Sequence, residues 1–327
     1  MGSVTLPLSE LYSPIRDELA FVERIFDEEL VSALACVEQF HSRLRGYRGK
    51  MLRPALLLLS GKAAGKLTSE HNTLAAVVEM VHMATLVHDD VLDEAVERRR
   101  QATVNAVSGN VAAVLLGDYL ISHAFHLCSE LDSQSASRLV GATTNAVCEG
   151  ELLQNHHRGN VSLSEEEYYQ IVSRKTGALT ATCCELGARH AGADDDVAYS
   201  MRAYGMSAGI AFQIVDDVLD IMGKASQVGK TLGRDIDLGK STLPTIHSLM
   251  QATPETARRL AALLNDEDGA DHQELRHLLD KTGSIEYAIA SAREHVVDAL
   301  GRLECLPPSE AKTSLTAMAE FIVERRY

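Results

Sequence analysis

The segments Asp89-Asp90-Val91-Leu92-Asp93 and Asp216-Asp217-Val218-Leu219-Asp220 repeat one motif, DDVLD, at two distant places in the chain. Residues four apart share one face of an α-helix, so Asp89 meets Asp93 and Asp216 meets Asp220. Like charges at this spacing destabilise a helix by roughly 0.2–0.5 kcal/mol per pair, yet both motifs lie inside apolar stretches. We therefore expect a bound cation to neutralise each cluster. Two solvated acidic patches are the alternative.

The two motifs contain carboxylates and no accompanying quartet of His and Cys, a pattern that favours a hard divalent cation. Mg²⁺ is usually held by a few carboxylates together with waters and substrate phosphates. Two such clusters on two helices predict a diphosphate that Mg²⁺ clamps between them.

Helical signals dominate the chain. Hydrophobic periodicity predicts a long helix after Thr68 that runs into the first motif. Ser164 begins a capping box and a helix that runs towards Lys175, and a third helix covers about 197 to 222. The seven prolines leave a long proline-free middle in which helices can continue. We predict an all-α fold, a large helical bundle in one domain over residues 1–327.

Composition limits the partners. A formal charge of −15 argues against nucleic acid, whose phosphates are bound mainly by surplus Lys and Arg. The six cysteines show no CxxC pair, which favours a reducing cytoplasm. The start of the chain does not resemble a signal peptide, and we expect no transmembrane segment, with peripheral membrane contact left open.

Cations gather beside the acidic motifs in spite of the acidic background. Lys50 and Arg53 precede Pro54, and Arg98-Arg99-Arg100 follow the first motif. Arginine contacts phosphate oxygens in pairs and lysine provides a point charge, so this set suits a diphosphate bound without metal. A solvated turn with ordinary arginines is the alternative.

An ordered series of motifs over roughly residues 45 to 245 resembles the trans-isoprenyl diphosphate synthase (polyprenyl synthetase) family, and most of all its medium- and long-chain polyprenyl diphosphate synthases. The family often has glycine, glycine and proline where this chain has Arg48, Arg100 and Ala102. The resemblance is carried by Gly49-Lys50-Met51-Leu52-Arg53-Pro54, both DDVLD motifs, Arg98-Arg99, Gly117-Asp118-Tyr119-Leu120, Gly150-Glu151-Leu152-Leu153-Gln154, Lys175-Thr176, Phe212-Gln213, and Gly229-Lys230 through Gly239-Lys240.

The resemblance implies a helical bundle around a deep central cavity, usually a homodimer, whose substrates are isopentenyl diphosphate and an allylic diphosphate. It implies three Mg²⁺ ions with the bound diphosphate, for which Mn²⁺ can substitute. The diphosphate departs, an allylic carbocation forms, and the isopentenyl double bond attacks it.

The resemblance also assigns roles to residues. The metal set comprises Asp89, Asp93 and Asp216, with Asp90, Asp217 and Asp220 completing or supporting the metal shells. The allylic diphosphate is contacted by Arg98, Lys175, Lys240 and, from the predicted loop over 229–240, Lys230. Isopentenyl diphosphate is held by Lys50, Arg53, His82 and Arg99. Thr176 and Gln213 lie near the reacting carbons, where Gly177 would loosen the helix and let a carbonyl aim at developing positive charge.

Product length in this family depends on side chains that block the cavity below the first motif. Here these are Ala84 and Thr85, whose small size predicts an open channel and a medium- or long-chain product. Geranylgeranyl or farnesyl diphosphate is the alternative, since a deeper floor could still stop growth. The structural alternative is that these two residues are small only because helices pack tightly there.

Three other functions compete with this one. Gly229-Lys230-Thr231 and Gly239-Lys240-Ser241 resemble phosphate-binding loops, but a P-loop needs a glycine where Lys224 and Arg234 stand. A class I terpene cyclase would resemble this chain at the first motif and differ at the second. A non-catalytic subunit of a heteromeric synthase would have lost acidic residues that are intact here.

Overall fold

The computed structural model describes residues 8–222, 233–265 and 271–324. These residues are almost entirely helical, as the sequence predicts, with a single two-stranded hairpin. The elements in chain order are α1 (Leu8–Leu11), a 3₁₀ turn (Ser13–Ile15), α2 (Arg16–Glu29), α3 (Ala35–Tyr47), α4 (Leu52–Ala64), α5 (Ser69–Leu92), β1 (Glu97–Arg98), β2 (Gln101–Ala102), α6 (Val104–Ser129), α7 (Gln134–His156), α8 (Glu165–Val172), a π-helical turn (Ser173–Gly177), α9 (Ala178–His190), α10 (Asp195–Met222), α11 (Arg234–Asp237), α12 (Leu243–Gln251), α13 (Pro254–Leu264), α14 (His272–Lys281), α15 (Ser284–Arg302), a second 3₁₀ turn (Leu303–Cys305) and α16 (Glu310–Glu324).

Internal contacts divide the chain into two compact units, and each is described by itself. Unit 1 comprises Met1–Thr144, Leu179–Gly205 and Arg302–Ala317, and unit 2 comprises Asn145–Ala178, Met206–Gly301 and Met318–Tyr327. The first DDVLD motif belongs to unit 1 and the second to unit 2. The assignment of residues 1–327 to one domain stays a prediction.

The predicted helix after Thr68 is the centre of unit 1. It is α5, whose first turn is closed by a capping box between Thr68 and His71. Its residues from Leu74 to Val81 are buried, and α5 packs against α2, α4 and α6. The first motif therefore ends a helix that the core of unit 1 holds firmly.

Close approach of α4 and α9 in unit 1 depends on glycine. A Cβ atom at Gly187 would clash with the carbonyl oxygen of Leu57 and lie 2.9 Å from the backbone nitrogen of Gly61. The Gly187 carbonyl oxygen also lies 3.1 Å from Nε2 of His71, a fully buried residue of α5. The absence of a side chain at this position lets these helices meet backbone to backbone.

Helix α6 is unusually apolar for its exposure. Among the described residues it alone has the length and composition of a membrane span, and 39% of its most apolar window is buried. Val111, Val114 and Leu115 are exposed along one side, although Gly109 interrupts the helix with φ 82° and ψ 162°. Core helices of soluble proteins reach the same apolar composition.

In unit 2 the predicted capping box begins α8. The Ser164 hydroxyl accepts the backbone N–H of Glu167 at 3.2 Å, and the Glu167 carboxylate accepts the backbone N–H of Ser164 at 2.8 Å. The predicted loop over 229–240 differs from the structure at its end, where residues 234–237 form α11. Residues 223–232, including Lys230, lie outside the described part of the chain.

Substituting Gly187 by alanine is expected to lower the free energy of unfolding by about 1–3 kcal/mol, because the added methyl group overlaps backbone atoms of α4. Gly141 provides the matched control, since no heavy atom beyond the local backbone of α7 lies within 4 Å of its Cβ position. There the same change should raise stability by about 0.5–1 kcal/mol through helix propensity. Urea unfolding followed by circular dichroism measures both. Equal stability of the two variants would contradict this account of the α4–α9 packing.

Candidate active site

The first DDVLD motif ends α5 and presents two faces. His82, Thr85 and Asp89 follow one another at helical spacing and are all partly exposed. Asp93 is the C-cap of the helix, and its backbone N–H donates to the carbonyl oxygen of Asp89 at 2.8 Å. Asp89 and Asp93 therefore lie on the accessible side of the helix end, as their spacing predicts.

Asp90 points the other way and is only 1% exposed. The Tyr47 hydroxyl donates to its Oδ2 at 2.7 Å, and Arg98 donates to its Oδ1 from Nε at 2.8 Å and Nη2 at 2.7 Å. Tyr47 also accepts the backbone N–H of Val104 at 3.2 Å, and burial raises the pKa of its phenol. Both carboxylate oxygens of Asp90 thus have partners within unit 1.

The arginines after the motif form a tight β-hairpin. Glu97 pairs with Ala102 and Arg98 with Gln101, which leaves Arg99 and Arg100 as the two turn residues. Their φ values of 51° and 63° are left-handed, a region that costs a side-chain-bearing residue roughly 1–2 kcal/mol. This backbone accounts physically for the glycine that the resembling family often has at position 100. Arg99 Nη1 donates to the carbonyl oxygen of Tyr47.

The predicted isopentenyl diphosphate residues form a cationic cluster in unit 1. Burial lowers the pKa of the His82 imidazole well below its ordinary value, and Arg53, Arg99 and Arg98 lower it further. His82 is therefore neutral at physiological pH. Lys50 is exposed, and its backbone carbonyl accepts the Tyr12 hydroxyl at 2.9 Å.

Glu79, one turn before His82, is the acidic member of this cluster. Its carboxyl is 3% exposed, and burial raises its pKa while the charges of Arg53, Arg99 and Arg48 act in the opposite direction. Three arginines close enough to influence a single buried carboxyl imply a dense local positive charge.

The second motif, on α10, repeats the arrangement of the first. Gln213, Asp216 and Asp220 are partly exposed and share one helix face. Asp217 is 4% exposed, and it accepts the Tyr168 hydroxyl at 2.7 Å and Nε2 of Gln213 at 2.8 Å. Burial, together with the charge of Asp235, raises the pKa of Asp217 well above its usual range.

A cleft opens beside this helix in unit 2. It brings together Lys175, Thr176, Gln213, Asp217 and Lys240 from the predicted set. The complete lining consists of Gln154, His157, Leu163, Tyr168, Ile171, Val172, Lys175, Thr176, Gln213, Asp217, Asp235, Lys240, Ser241 and Thr242.

Lys175 and Thr176 lie in the π-helical turn, where the helix loosens as Gly177 predicts. Such turns are frequent at functional sites. Lys175 donates from Nζ to Gln154 Oε1 at 2.7 Å and pairs with Glu151. The direction of the Thr176 carbonyl stays a prediction.

Two further contacts fix the π-helical turn. Gly150 permits its approach to α7, since a Cβ there would lie 2.6 Å from the Lys175 backbone nitrogen. The Thr176 hydroxyl donates to Gln213 Oε1 at 2.8 Å.

The segment around α11 connects the second motif to Lys240. The backbone N–H of Asp235 donates to Oδ2 of Asp220 at 3.1 Å, and Lys240 Nζ lies 3.9 Å from Asp235 Oδ1. Lys240 is 8% exposed, so its ammonium group is nearly enclosed.

The donor chemistry fits Mg²⁺. Across residues 8–222, 233–265 and 271–324 no three side chains of His, Cys, Asp or Glu already converge as a metal cage. A Mg²⁺ site needs no such cage, because waters and substrate phosphates usually complete its shell around one or two carboxylates. Each motif offers two partly exposed aspartates of this kind.

The two proposed chain-length residues occupy different environments. Thr85 lies on the partly exposed stripe of α5 with Asp89, and its hydroxyl donates to the carbonyl oxygen of His82 at 2.7 Å. Ala84 is fully buried in unit 1. Thr85 is therefore the better placed of the two to line a channel.

Sequence reasoning missed Tyr47 and Tyr168, which contact the two middle aspartates, and it gave no role to Glu151, Gln154 or Asp235. Tyr47 is 43 positions from Asp90 and Tyr168 is 49 positions from Asp217. The strongest available signal was the capping box at Ser164, which places Tyr168 on the buried side of a short helix.

Known proteins of one family are similar to this chain over most of its length. The sequence model of the family described as Polyprenyl synthetase matches residues 35–282. The octaprenyl diphosphate synthase of Escherichia coli (strain K12) is 32% identical over 315 residues, which cover 94% of this chain and 96% of the relative. The short chain isoprenyl diphosphate synthase of Methanothermobacter thermautotrophicus is 34% identical over 282 residues, 85% of each chain.

A solved structure has the same fold along the whole chain. The polyprenyl synthase of Caulobacter crescentus CB15, complexed with calcium and isoprenyl diphosphate, matches with a TM-score of 0.94 at 30% identity and covers 100% of both chains. With the family match spanning both aspartate motifs, this chain belongs to the polyprenyl synthetase family of trans-prenyltransferases.

Proposed function

We propose that this chain carries out the Mg²⁺-dependent head-to-tail condensation of isopentenyl diphosphate with an allylic diphosphate, and that its product is a medium- or long-chain polyprenyl diphosphate. One observation carries the proposal. Each DDVLD helix presents its first and third aspartates on a partly exposed face, and cations lie within the same unit beside it. The name of the Escherichia coli octaprenyl relative supports the product length, and the calcium in the Caulobacter crescentus structure supports a divalent cation, while the short chain relative fits the alternative of a shorter product.

Bound Mg²⁺ would neutralise the allylic diphosphate and make it a better leaving group. Asp89, Asp93 and Asp216 are the proposed ligands, Asp220 supports them through its bond to the backbone of Asp235, and three ions remain the expected number. Lys175, Lys240, Lys230 and Arg98 add positive charge for the departing diphosphate.

The reaction needs no protein general base. The departing diphosphate can accept the proton that is lost when the new alkene forms, so the protein's main contribution is electrostatic. The Thr176 hydroxyl and the Gln213 amide hold each other at 2.8 Å and place fixed dipoles near the developing carbocation. The isopentenyl diphosphate is held by Lys50, Arg53 and Arg99, with His82 as a neutral hydrogen-bonding partner.

Exchanging a ligand carboxylate for an amide should abolish most activity. We expect Asp89→Asn and Asp216→Asn to cut turnover by a factor of roughly 10² or more, with a melting temperature that is unchanged or higher because a repelling charge is lost. Incorporation of radiolabelled isopentenyl diphosphate with several allylic starters measures the turnover. Removal of metal with EDTA, followed by addition of Mg²⁺, tests the metal requirement.

Asp196→Asn, at the exposed start of the same helix α10, is the matched control and should retain full turnover. Full activity of both Asp89→Asn and Asp216→Asn would contradict the assignment of these aspartates as metal ligands.

Thr85 provides the sharper test of product length, because Ala84 is enclosed by the core and a large substitution there would disturb folding. Thr85 lies four positions before Asp89, about 6 Å along the helix. Thr85→Phe should therefore place a ring in the path of the growing chain and shift products to roughly 15 or 20 carbons, as expected from close packing.

Thr73→Phe makes the same change about 18 Å farther along α5 and should leave product length unchanged. Chromatography of the dephosphorylated products measures the product chain length of both variants. A wild-type product of 15 carbons, or unchanged products from folded Thr85→Phe, would contradict the proposed channel.

We also propose that the protein is a cytoplasmic homodimer in which a second copy covers the exposed apolar side of α6. Val111, Val114 and Leu115 are 75%, 41% and 62% exposed, and they follow one another along one face. An apolar patch of this kind normally marks an interaction surface. The six cysteines are all free, which supports a reducing compartment.

Leu115→Glu should convert the dimer to a monomer while the helix content stays constant. Size-exclusion chromatography with light scattering should give about twice 35.5 kDa for the wild type and about 35.5 kDa for the variant. Val297→Glu, at a residue 68% exposed on α15, is the control and should remain dimeric. A monomeric wild type would refute the dimer, and a dimeric Leu115→Glu would refute the α6 interface.

A further inference from the structure

The middle aspartate of each DDVLD motif has the same environment in both units. Asp90 is 1% exposed and Asp217 is 4% exposed. Each accepts a hydrogen bond of 2.7 Å at Oδ2 from a buried tyrosine hydroxyl, Tyr47 in unit 1 and Tyr168 in unit 2. Two tyrosines from unrelated local sequences therefore satisfy the same aspartate of the repeated motif.

Helical geometry makes this division unavoidable. Successive residues of an α-helix lie about 100° apart around its axis, so the two adjacent aspartates of one motif cannot share a face. Asp89 and Asp216 are partly exposed while their neighbours face inward. A buried carboxylate is tolerated only when it accepts hydrogen bonds, and the tyrosine hydroxyls donate such bonds.

The second oxygen of each middle carboxylate is also in use. Oδ1 of Asp90 accepts from Arg98, and Oδ1 of Asp217 accepts from Nε2 of Gln213. With both oxygens held by side chains of the same unit, the carboxylate has a fixed position and its helix has a fixed rotation.

We propose that Asp90 and Asp217 are positioning residues, held by Tyr47 and Tyr168, and that they orient the motifs instead of binding metal themselves. The proposal rests on the proposed function, whose metal ligands are the outward-facing aspartates. It assigns to the two tyrosines a role in the reaction that they exert through the aspartates they hold.

In unit 2 the same bonds orient an amide. The NH₂ group of Gln213 can only donate, so its bond to Asp217 turns Oε1 towards the Thr176 hydroxyl 2.8 Å away. Tyr168, Asp217, Gln213 and Thr176 thus form a continuous chain of hydrogen bonds. Removing the Tyr168 hydroxyl should therefore loosen the hydrogen bond between Gln213 and Thr176 at the other end of the chain.

The test uses the full-length enzyme and two independent readouts. The first is the rise in melting temperature that Mg²⁺ with inorganic diphosphate produces, titrated to an apparent affinity. The second is kcat for isopentenyl transfer. Asp216→Asn should weaken the apparent affinity for diphosphate at least tenfold, whereas Asp217→Asn should change it less than twofold, because an asparagine can still accept from Gln213 and donate to Tyr168.

Tyr168→Phe removes a single oxygen atom and should lower kcat about tenfold, without changing the apparent affinity for diphosphate. Tyr169→Phe is the matched control: it removes the hydroxyl of the next residue, which bonds to Ser291 and not to the motif, and both readouts should stay at wild-type values. Tyr47→Phe should repeat the kcat effect of Tyr168→Phe in unit 1.

Two results would overturn the proposal while leaving the function intact. One is a loss of diphosphate affinity in Asp217→Asn as large as that in Asp216→Asn, which would make Asp217 a ligand. The other is a folded Tyr168→Phe whose kcat equals that of Tyr169→Phe. A wild-type protein that neither responds to Mg²⁺ with diphosphate nor turns over would instead overturn the proposed function, and this inference with it.

Discussion

A carboxylate cannot be buried without partners, and this constraint shapes both aspartate motifs. Each motif has two adjacent aspartates on a helix, so one must point away from the accessible face. An unpartnered buried charge costs several kcal/mol or shifts its pKa until it is neutral. The tyrosine hydroxyls on Asp90 and Asp217 offset part of that penalty. They also make any other rotation of the helices unfavourable, because rotation would break these bonds.

Other unusual features lie next to these anchored helices. In unit 1 the second partner of Asp90 is Arg98, which stands at the base of a hairpin whose turn places two arginines at positive φ. In unit 2 the π-helical turn presents Thr176 to Gln213, the second partner of Asp217. Backbone strain at functional sites persists when surrounding contacts determine it. Here the hydrogen bonds of the buried carboxylates are among the contacts that hold the strained hairpin turn and the π-helical turn in place.

The sequence predicts those features whose causes are local. The helix after Thr68, the cap at Ser164, the helix over 197–222, the pairs of aspartates that share a face and the loosened helix at Gly177 all follow from spacing and residue type. The tyrosine partners do not, because hydrogen bonds between residues more than 40 positions apart depend on how helices pack. The burial of Ala84 beside a partly exposed Thr85 depends likewise on which face of α5 meets the core.

A net charge of −15 is compatible with the two proposed diphosphate sites. The net charge acts over long distances and is screened by salt beyond about 10 Å at 0.1 M. Arg53, Arg98 and Arg99, in contrast, are close enough to His82 to add to the lowering of its pKa that burial causes. The acidic surplus therefore does not prevent a local positive field. A neutral His82 in that field adds no further repulsion between cations, and it can still hydrogen-bond to a phosphate oxygen. Burial, together with these arginines, thus keeps the histidine that lies among them uncharged.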